Sequence, residues 1–227
     1  MTGVAPGIAG RLALVRERIG EACLRANRDP AEVTLIAVSK TFPAQAVEAA
    51  WAAGVLDFGE NRVQEGSAKA EALARLGVSP RWHLIGHLQT NKTAAALRHF
   101  DVIHSVDSAR LLDAIERGVA HERPVRVFIQ VNVAREASKS GVSVAEAPAL
   151  IARARETRGV ILDGLMTIAP LEGGETAARR AFDDLRRLAE QHQLRQLSMG
   201  MSGDFEAAIE EGATHVRIGQ AIFGGRA

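Results

Sequence analysis

The 227 residues can form a domain with a large core, and the near balance of 28 basic and 27 acidic residues argues against a nucleic-acid or membrane-surface protein. Apolar runs have strand length, and the N-terminus lacks the pattern of a signal peptide, so neither a membrane span nor export is predicted. Cys23 is the single cysteine, which is typical of a reducing compartment. We therefore expect a cytoplasmic protein.

The first predicted element is an amphipathic helix that ends before Pro30. Its apolar residues recur at helical spacing: Ile8, Leu12, Val15, Ile19 and Cys23. After it, short apolar or β-branched segments alternate with Ala-, Glu- and Arg-rich segments of helical period. The predicted strands cover residues 34–40, 56–61, 82–86, 102–107, 125–132, 160–168, 197–202 and 214–223. The predicted helices cover residues 44–53, 63–76, 91–100, 109–117, 144–157, 176–192 and 204–211.

This alternation predicts one domain of the α/β class over residues 1–227. Strands that alternate with helices form parallel β-α-β units, and eight such strands close a (β/α)8 TIM-type barrel. The additional N-terminal helix is expected to cap one end of the barrel. An open doubly wound sheet is the alternative, but no G-x-G-x-x-G motif follows the first predicted strand.

Residues able to contact a ligand gather at the carboxyl ends of the predicted strands, where barrels of this kind carry their active sites. Each alone is ordinary for a position where a strand meets water. Together, a lysine, asparagines, a serine and an arginine at one rim predict a small-molecule site. These residues are Lys40, Asn61, Gly86, His87, Ser105, Asp107, Asn132, Met166, Thr167, Ser202, Arg217 and Gly219.

Arg217 is predicted to point into the barrel. It alternates with Val216 and Ile218, and the outer face of a barrel strand, covered by helices, should be the apolar one. An interior guanidinium needs partners because an unpaired buried charge costs several kcal/mol. Arg217 therefore either forms a structural ion pair, with Glu60 or Asp163 as candidate partners, or faces a ligand.

Two segments near the end of the chain are candidates for binding an anion. Ser202 and Gly203 turn from a strand into a helix, so the Ser202 hydroxyl and the first backbone N–H groups of the helix can receive a phosphate. At Gly219, the absence of a side chain lets a ligand approach the backbone closely. Either turn alone is weak evidence, since Ser-Gly before a helix is ordinary capping, but phosphate sites built from these two loops recur in this fold.

Lys40 carries the predicted chemistry. Only 4 of the 28 basic residues are lysines, and lysine, unlike arginine, can lose its proton and act as a nucleophile. Lys69, within an Ala- and Glu-rich predicted helix, is expected to have no such role, whereas Lys40 ends an apolar strand at the rim that also carries Arg217. A lysine imine beside a phosphate pocket suits either a pyridoxal phosphate protein or a Schiff-base aldolase, and the residues alone do not separate the two.

Other chemistries are not indicated. The chain has no Cys/His set with zinc spacing, no P-loop and no G-x-S-x-G nucleophile elbow. His83 and His215 fall within strands and are expected to line the barrel as structural residues with satisfied hydrogen bonds. Neither a metal ligand nor a catalytic residue is therefore predicted.

Several segments resemble one family, the pyridoxal phosphate homeostasis proteins, whose barrel is similar to that of alanine racemase without its second β-domain. They follow the family order over nearly the whole chain. The resemblance implies a protein that regulates or carries the cofactor, with no established catalytic turnover. The segments are LIAVSKTFP at 35–43, FGENRVQEG at 58–66, WHLIGHLQTNK at 82–92, SKSG at 138–141, GLMTI at 164–168 and LSMGMSGDFEAAIEEGATHVRIGQAIFG at 197–224.

The resemblance also implies roles for single residues. Lys40 would be the Schiff-base lysine, and Arg217 would donate to the pyridine nitrogen. Gln220 stands where the family usually has a hydroxyl residue, so one contact to the phosphate is replaced while the backbone N–H is kept. The residues implied to bind pyridoxal 5′-phosphate are Lys40, Asn61 and Met166 beside the ring, Arg217 at its nitrogen, and Ser202, Gly219 and Gln220 at the phosphate.

Two functions of different class therefore compete: a protein that holds and supplies the cofactor, and an amino-acid racemase of the same fold type. A Schiff-base aldolase is a third and more distant alternative. The resemblance implies that alanine racemases take their second base, a tyrosine, from the β-domain of a partner subunit, and this chain contains no tyrosine. The expected partners are pyridoxal phosphate and, transiently, apo-enzymes that use it, with the chain as a monomer or weak dimer.

Overall fold

Eight parallel strands close into a barrel in the computed structural model, which describes residues 7–119, 123–134, 136 and 140–225. Hydrogen bonds join neighbouring strands around the ring and pair the fourth strand with the fifth, which confirms the predicted (β/α)8 barrel. A two-residue strand that the sequence pattern does not predict, β6, pairs with β5 outside the ring. The strands are β1 (Thr34–Val38), β2 (Asp57–Glu60), β3 (Arg81–Leu84), β4 (Val102–Val106), β5 (Val125–Asn132), β6 (Val142–Ser143), β7 (Val160–Met166), β8 (Gln196–Met201) and β9 (His215–Ile218).

With the exception of α9, the helices occupy the segments that the helical period predicts, with ends that differ by a few residues. They form the outer layer, and their apolar faces pack against the outer face of the strands in one core cluster. The helices are α1 (Ile8–Arg25), α2 (Ala44–Ala52), α3 (Val63–Ala74), α4 (Thr93–His99), α5 (Ala109–Gly118), α6 (Ala147–Glu156), α7 (Gly174–Gln191), α8 (Phe205–Glu210) and α9 (Gln220–Phe223). Among the described residues, none of them is both long and apolar enough to cross a membrane.

The last predicted strand, residues 214–223, is too long. β9 ends at Ile218, and the backbone then turns at Gly219 into α9. The backbone N–H groups of Ile222 and Phe223 both donate to the Gly219 carbonyl at 2.9 Å. Ile222 and Phe223 are buried, so the apolar residues that extended the predicted strand instead pack as one helical turn.

The expectation that the N-terminal helix caps one end of the barrel is wrong. α1 packs against α2 on one side and against α8 and α9 on the other, so it lies within the helix layer. Arg11 Nε donates to the carbonyl of Ile222 at 2.6 Å, and Arg28 NH1 donates to that of Ala213 at 2.8 Å. Because α9 has only four residues, the helix layer would otherwise be incomplete beside β9 and β1.

The barrel interior differs from the layer between strands and helices. The outer cluster is almost wholly apolar, whereas the interior contains a small apolar cluster of Val102, Phe128 and Met166 together with buried polar side chains. Arg217 and the two histidines His83 and His104 are at most 4% exposed. Polar groups buried in this way need hydrogen-bond partners, so the polar interior is a candidate for the functional part of the barrel.

Candidate functional site

Lys40 lies just beyond the carboxyl end of β1 and lines a cavity of about 390 Å³. This volume falls within the range of small-molecule sites. A Cβ atom on Gly219 would lie 3.1 Å from the Val38 carbonyl oxygen, so a side chain there would press on β1. The residues that line the cavity are Val38, Lys40, Phe42, Gly219, Gln220 and Gly224.

Larger clefts lie elsewhere. One of them, of about 720 Å³, lies beside α1, α7 and α8, and arginines and glutamates that pair with one another are among the residues that line it. Arg179 NH2 contacts Glu210 Oε2 at 2.6 Å, and Arg18 Nε contacts Glu206 Oε1 at 2.6 Å. Since those charges pair on the surface and no lysine lines the cleft, the smaller cavity at Lys40 is the candidate site.

The turn that carries Lys40 is held by a buried lysine on α3. Lys69 Nζ donates to the Ser39 carbonyl at 2.8 Å, to Glu60 Oε1 at 2.7 Å and to Glu65 Oε1 at 2.8 Å. Glu65 Oε1 also accepts the backbone N–H of Thr41 at 2.5 Å. The residues on both sides of Lys40 are thereby tied to α3.

Thr41 adopts an unfavourable backbone geometry in this arrangement. Its φ of 70° lies in the left-handed region, which a β-branched residue adopts rarely. The hydrogen bond to Glu65 compensates for part of that cost, and Glu65 is in turn fixed by Lys69. The conformation of Thr41 and the position of Lys40 therefore depend on the same ion-pair cluster.

Sequence reasoning misses Lys69. The pattern predicts an ordinary helix residue, but the side chain is only 7% exposed. Burial raises the pKa of Glu60, although the hydrogen bonds from Lys69 and Ser39 oppose that rise. The available signal was the i,i+4 spacing of Glu65 and Lys69 on a helix that follows the second rim segment.

Arg217 points into the barrel, as its alternation predicts. Its NH1 donates to Ser198 Oγ at 2.6 Å, and its NH2 donates to the Thr167 carbonyl at 2.8 Å. Burial lowers the pKa of Arg217 to about 10, with Asp204 opposing, so it is charged at neutral pH.

Both ion pairs considered for Arg217 are wrong. Gly59 faces the barrel interior, so its neighbour Glu60 faces outward. There Glu60 pairs with Lys69. Asp163 pairs with Arg126 at 2.6 Å. The partners of Arg217 are therefore a hydroxyl and a carbonyl, both uncharged.

Ser202 and Gly219, predicted to hold an anion, lie side by side. The Gly219 N–H donates to Ser202 Oγ at 3.3 Å, a long hydrogen bond. The turn between β8 and α8 is closed by Asp204, whose Oδ1 accepts the Met201 N–H at 2.6 Å. The hydroxyl, the backbone of Gly219 and the cavity at Lys40 thus belong to one region of the rim.

Asn61 and Met166, implied to lie beside a cofactor ring, occupy different depths. Asn61 is partly exposed at the rim, and a Cβ atom on Gly86 would lie 2.2 Å from its carbonyl oxygen, so only glycine fits there. Met166 is fully buried in the interior cluster with Phe128. Its side chain therefore lies below the rim, as part of the floor.

Other rim candidates do not join this region. Ser105 is buried, and its Oγ has no hydrogen-bond partner among the described residues. His87 is exposed, with Nδ1 3.5 Å from Asp107 Oδ2. Asn132 Nδ2 donates to the Glu136 carbonyl at 2.8 Å. Of the predicted SKSG segment, residues 138 and 139 lie outside the described residues.

A row of polar side chains continues from Arg217 into the barrel. Ser198 Oγ lies 2.8 Å from His104 Nδ1, and His104 Nε2 lies 2.9 Å from His83 Nδ1. His83 Nε2 lies 2.9 Å from Asp57 Oδ1. Burial lowers the pKa of His104 well below its usual value, so this imidazole is neutral at physiological pH. His83 lines the barrel as predicted, whereas the sequence pattern does not single out His104 or Ser198.

Comparison with known proteins agrees with this architecture. The family model for the N-terminal domain of alanine racemase matches residues 18–227. The chain is 47% identical over 222 residues to a pyridoxal phosphate homeostasis protein of Pseudomonas aeruginosa, covering 96% of both. It is 44% identical over 230 residues to that of Escherichia coli K12, covering 96% of this chain and 97% of the relative.

Solved structures show the same barrel. PipY of Synechococcus elongatus PCC7942 with PLP bound matches with a TM-score of 0.81 and 39% identity over 96% of this chain and 100% of PipY. Alanine racemase from Corynebacterium glutamicum shares the fold, with a TM-score of 0.71 and 19% identity over 96% of this chain and 60% of that one. The fold is that of the alanine racemase N-terminal domain class. More particularly, the chain belongs to the family of pyridoxal phosphate homeostasis proteins.

Proposed function

We propose that this chain binds pyridoxal 5′-phosphate as a Schiff base on Lys40 and holds it in the cytoplasm for apo-enzymes that use it, without catalytic turnover. The observation that carries the proposal is that Lys40 lines one cavity with the backbone of Gly219 and Gln220. The names of the relatives and the PLP-bound PipY support the choice of ligand. When bound, the cofactor supplies an aldehyde and an electron-accepting ring.

Lys40 supplies the nitrogen that holds the cofactor. Its amine would hold the cofactor by condensing with the aldehyde group that the cofactor supplies, with loss of water. The Lys69 cluster keeps Lys40 in place, since it binds the backbone of Ser39 and, through Glu65, that of Thr41. The lysine is thus presented by a turn fixed on both sides of it.

The phosphate is assigned to Ser202, Gly219 and Gln220. The 3.3 Å bond between Gly219 N–H and Ser202 Oγ is long enough to be exchanged for bonds to a phosphate oxygen. The backbone N–H of Gln220, the first residue of α9, follows directly on the same turn. Charge-assisted hydrogen bonds of this kind are stronger than neutral ones, so these groups would dominate non-covalent retention.

Arg217 is assigned to the pyridine nitrogen. A guanidinium has five N–H donors and no acceptor, and two of its groups bond to Ser198 and Thr167. Because it can only donate, the ring nitrogen must accept and stay unprotonated. Such a ring is a weaker electron sink than a pyridinium, which favours holding the cofactor over carbanion chemistry.

The Schiff-base assignment is tested with Lys40→Ala, and Lys92→Ala is the matched control. Lys40→Ala should abolish the imine absorbance of the protein mixed with pyridoxal phosphate while leaving the barrel folded, because Lys40 lies outside the core clusters. Lys92→Ala should retain the absorbance. After borohydride reduction, mass spectrometry should find the adduct on Lys40; an adduct on Lys69, Lys92 or Lys139 instead would refute the assignment.

The proposed lack of turnover is tested against alanine racemisation. Racemisation by two bases needs a proton acceptor on each face of the planar intermediate, and with no tyrosine in the chain neither a monomer nor a homodimer can supply that residue. The loss of a general base typically lowers the rate by roughly 10²–10⁴-fold. Cofactor-loaded protein is incubated with L-alanine in deuterated water; slow α-proton exchange without D-alanine is expected, and racemase-like turnover would overturn the carrier function.

A further inference from the structure

The polar row inside the barrel has only one consistent direction of hydrogen bonding if both histidines are neutral. Arg217 can only donate, so Ser198 Oγ accepts its N–H at 2.6 Å. At the other end, an ionised Asp57 can only accept, so His83 Nε2 donates to it at 2.9 Å. The two ends therefore determine which of the groups between them donate and which accept in each hydrogen bond.

The directions in the middle of the row follow because each neutral imidazole, and the serine hydroxyl, has one hydrogen to donate. A neutral His83 that donates from Nε2 must accept at Nδ1, so His104 Nε2 donates to it across 2.9 Å. His104 then accepts at Nδ1, where the Ser198 hydroxyl lies at 2.8 Å. His104 is held in this orientation because its ring stacks on Phe128, with 4.4 Å between ring centroids.

The row crosses the barrel rather than following one strand. Its members come from β9, β8, β4, β3 and β2, and β8 and β4 are not neighbours in the sheet. Ser198, His104 and His83 are at most 1% exposed, while the Asp57 side chain is 13% exposed at the amino-terminal end of β2. At that end, Arg81 NH1 lies 3.2 Å from Asp57 Oδ1.

We propose that Ser198, His104, His83 and Asp57 form a one-directional hydrogen-bond chain that positions the guanidinium of Arg217. The proposal rests on the function given above, in which Arg217 meets the cofactor ring. Ser198, His104, His83 and Asp57 are positioning residues that act through Arg217. The carboxylate of Asp57 thereby sets the direction of the hydrogen bonds that reach Arg217 through the three side chains between them.

The direction of the chain is tested without cofactor. In the full-length protein labelled with 15N-histidine, His83 and His104 should both appear in NMR spectra as neutral rings protonated at Nε2. The alternative is His83 as an imidazolium that donates to both Asp57 and His104, with His104 protonated at Nδ1. That result would overturn the one-directional chain, whether or not pyridoxal phosphate binds.

The positioning role is tested with Ser198→Ala, and Ser105→Ala is the matched control. Ser105 is a buried serine on β4 whose Oγ has no hydrogen-bond partner among the described residues. Ser198→Ala removes an acceptor of Arg217 and should speed release of pyridoxal phosphate about tenfold or more, with a shift of the bound absorbance spectrum. Ser105→Ala should leave both unchanged.

Asp57→Asn tests the chain from its far end. The change keeps the shape of the side chain but removes its charge, so the introduced amide can accept from or donate to His83, and the histidine tautomers should become mixed. We expect release to quicken about threefold, since the hydrogen bonds of the chain then no longer run in one direction only and hold Arg217 less firmly. If the tautomers respond but release and spectrum match those of Ser105→Ala, the positioning role is refuted. If pyridoxal phosphate does not bind the wild-type protein, the function proposed above fails and the NMR result still decides the chain.

Discussion

Lys40 and Lys69 lie close to one turn and differ completely in their surroundings. Lys40 is partly exposed and lines a cavity, whereas Lys69 is 7% exposed and donates to two carboxylates and a carbonyl. An arginine could not replace Lys69 without loss, because its planar fork does not match three acceptors around one point charge. Two of the few lysines thus differ in role. The sequence predicts a role for Lys40 at a ligand site, but it does not predict the buried ion pairs of Lys69.

Lys69→Met should destabilise the protein and disturb the site. The methionine leaves Glu60 and Glu65 without their cation, and removing one partner of a buried pair costs about 3 kcal/mol. The free energy of unfolding in urea measures the loss, and the rate of imine formation with pyridoxal phosphate should fall as well.

The matched control for this change is Lys92→Met, which should alter neither quantity appreciably. Adding Glu60→Gln to Lys69→Met should restore part of the stability, because the uncompensated carboxylate is then removed. A Lys69→Met protein as stable as the wild type would show that the cluster is not a buried ion pair in solution.

α1 illustrates what an added element contributes. It fills the helix layer next to the single turn of α9 and contacts α2, α8 and α9. Its buried face consists of residues spaced at helical intervals, while the intervening residues face solvent. The periodicity predicts which face of α1 is buried. The neighbours of that face depend on the short length of α9, and α9 is not predicted because residues 220–223 continue the apolar pattern of a strand.

Two leucines on α1 allow a matched test. Leu12 is 1% exposed and Leu14 is 53% exposed. Leu12→Ala should lower the free energy of unfolding by about 2–5 kcal/mol through lost burial and a cavity, and Leu14→Ala should change it by about 0.5 kcal/mol or less. Urea titrations of both variants measure this; equal losses would mean that α1 is not packed as described.

At the scale of the whole molecule, His104, which is buried, and His215, which is partly buried, couple stability to pH. Burial lowers the pKa of His215 to about 3 and that of His104 well below its usual value. Both bind protons in the unfolded chain, with a pKa of about 6.5, and not in the folded one. Their contribution is therefore complete above pH 6.5 and is lost as pH falls toward their folded pKa values.

This predicts that each of the two histidines costs about 1.4 kcal/mol of stability between roughly pH 7.5 and 5.5. His215→Gln should remove about that much of the difference between the two free energies of unfolding, measured in urea at each pH. Glu60, whose pKa burial raises, acts in the opposite direction in both proteins and cancels in the comparison. An unchanged pH dependence in the variant would contradict a neutral His215 in the folded protein.

The sequence permitted prediction of the barrel and of the rim because both follow from local patterns. Alternation along β9 predicts the inward direction of Arg217, and strand ends predict Lys40 and Ser202 at one edge. The partners of Arg217 could not be predicted in the same way. Ser198 and His104 belong to strands far apart in the chain, and only closure of the barrel brings their side chains together.

The position of α1 also sets the order of events during synthesis. Its buried face meets α8 and α9, and β1 pairs with β9, so α1 and β1 must wait for elements that are synthesised much later. At about 5–20 residues per second this delay is roughly 10–40 s. During that time the part of α1 that meets α8 and α9, and one edge of β1, have no permanent partner, and the nascent chain is most exposed to aggregation or capture by chaperones.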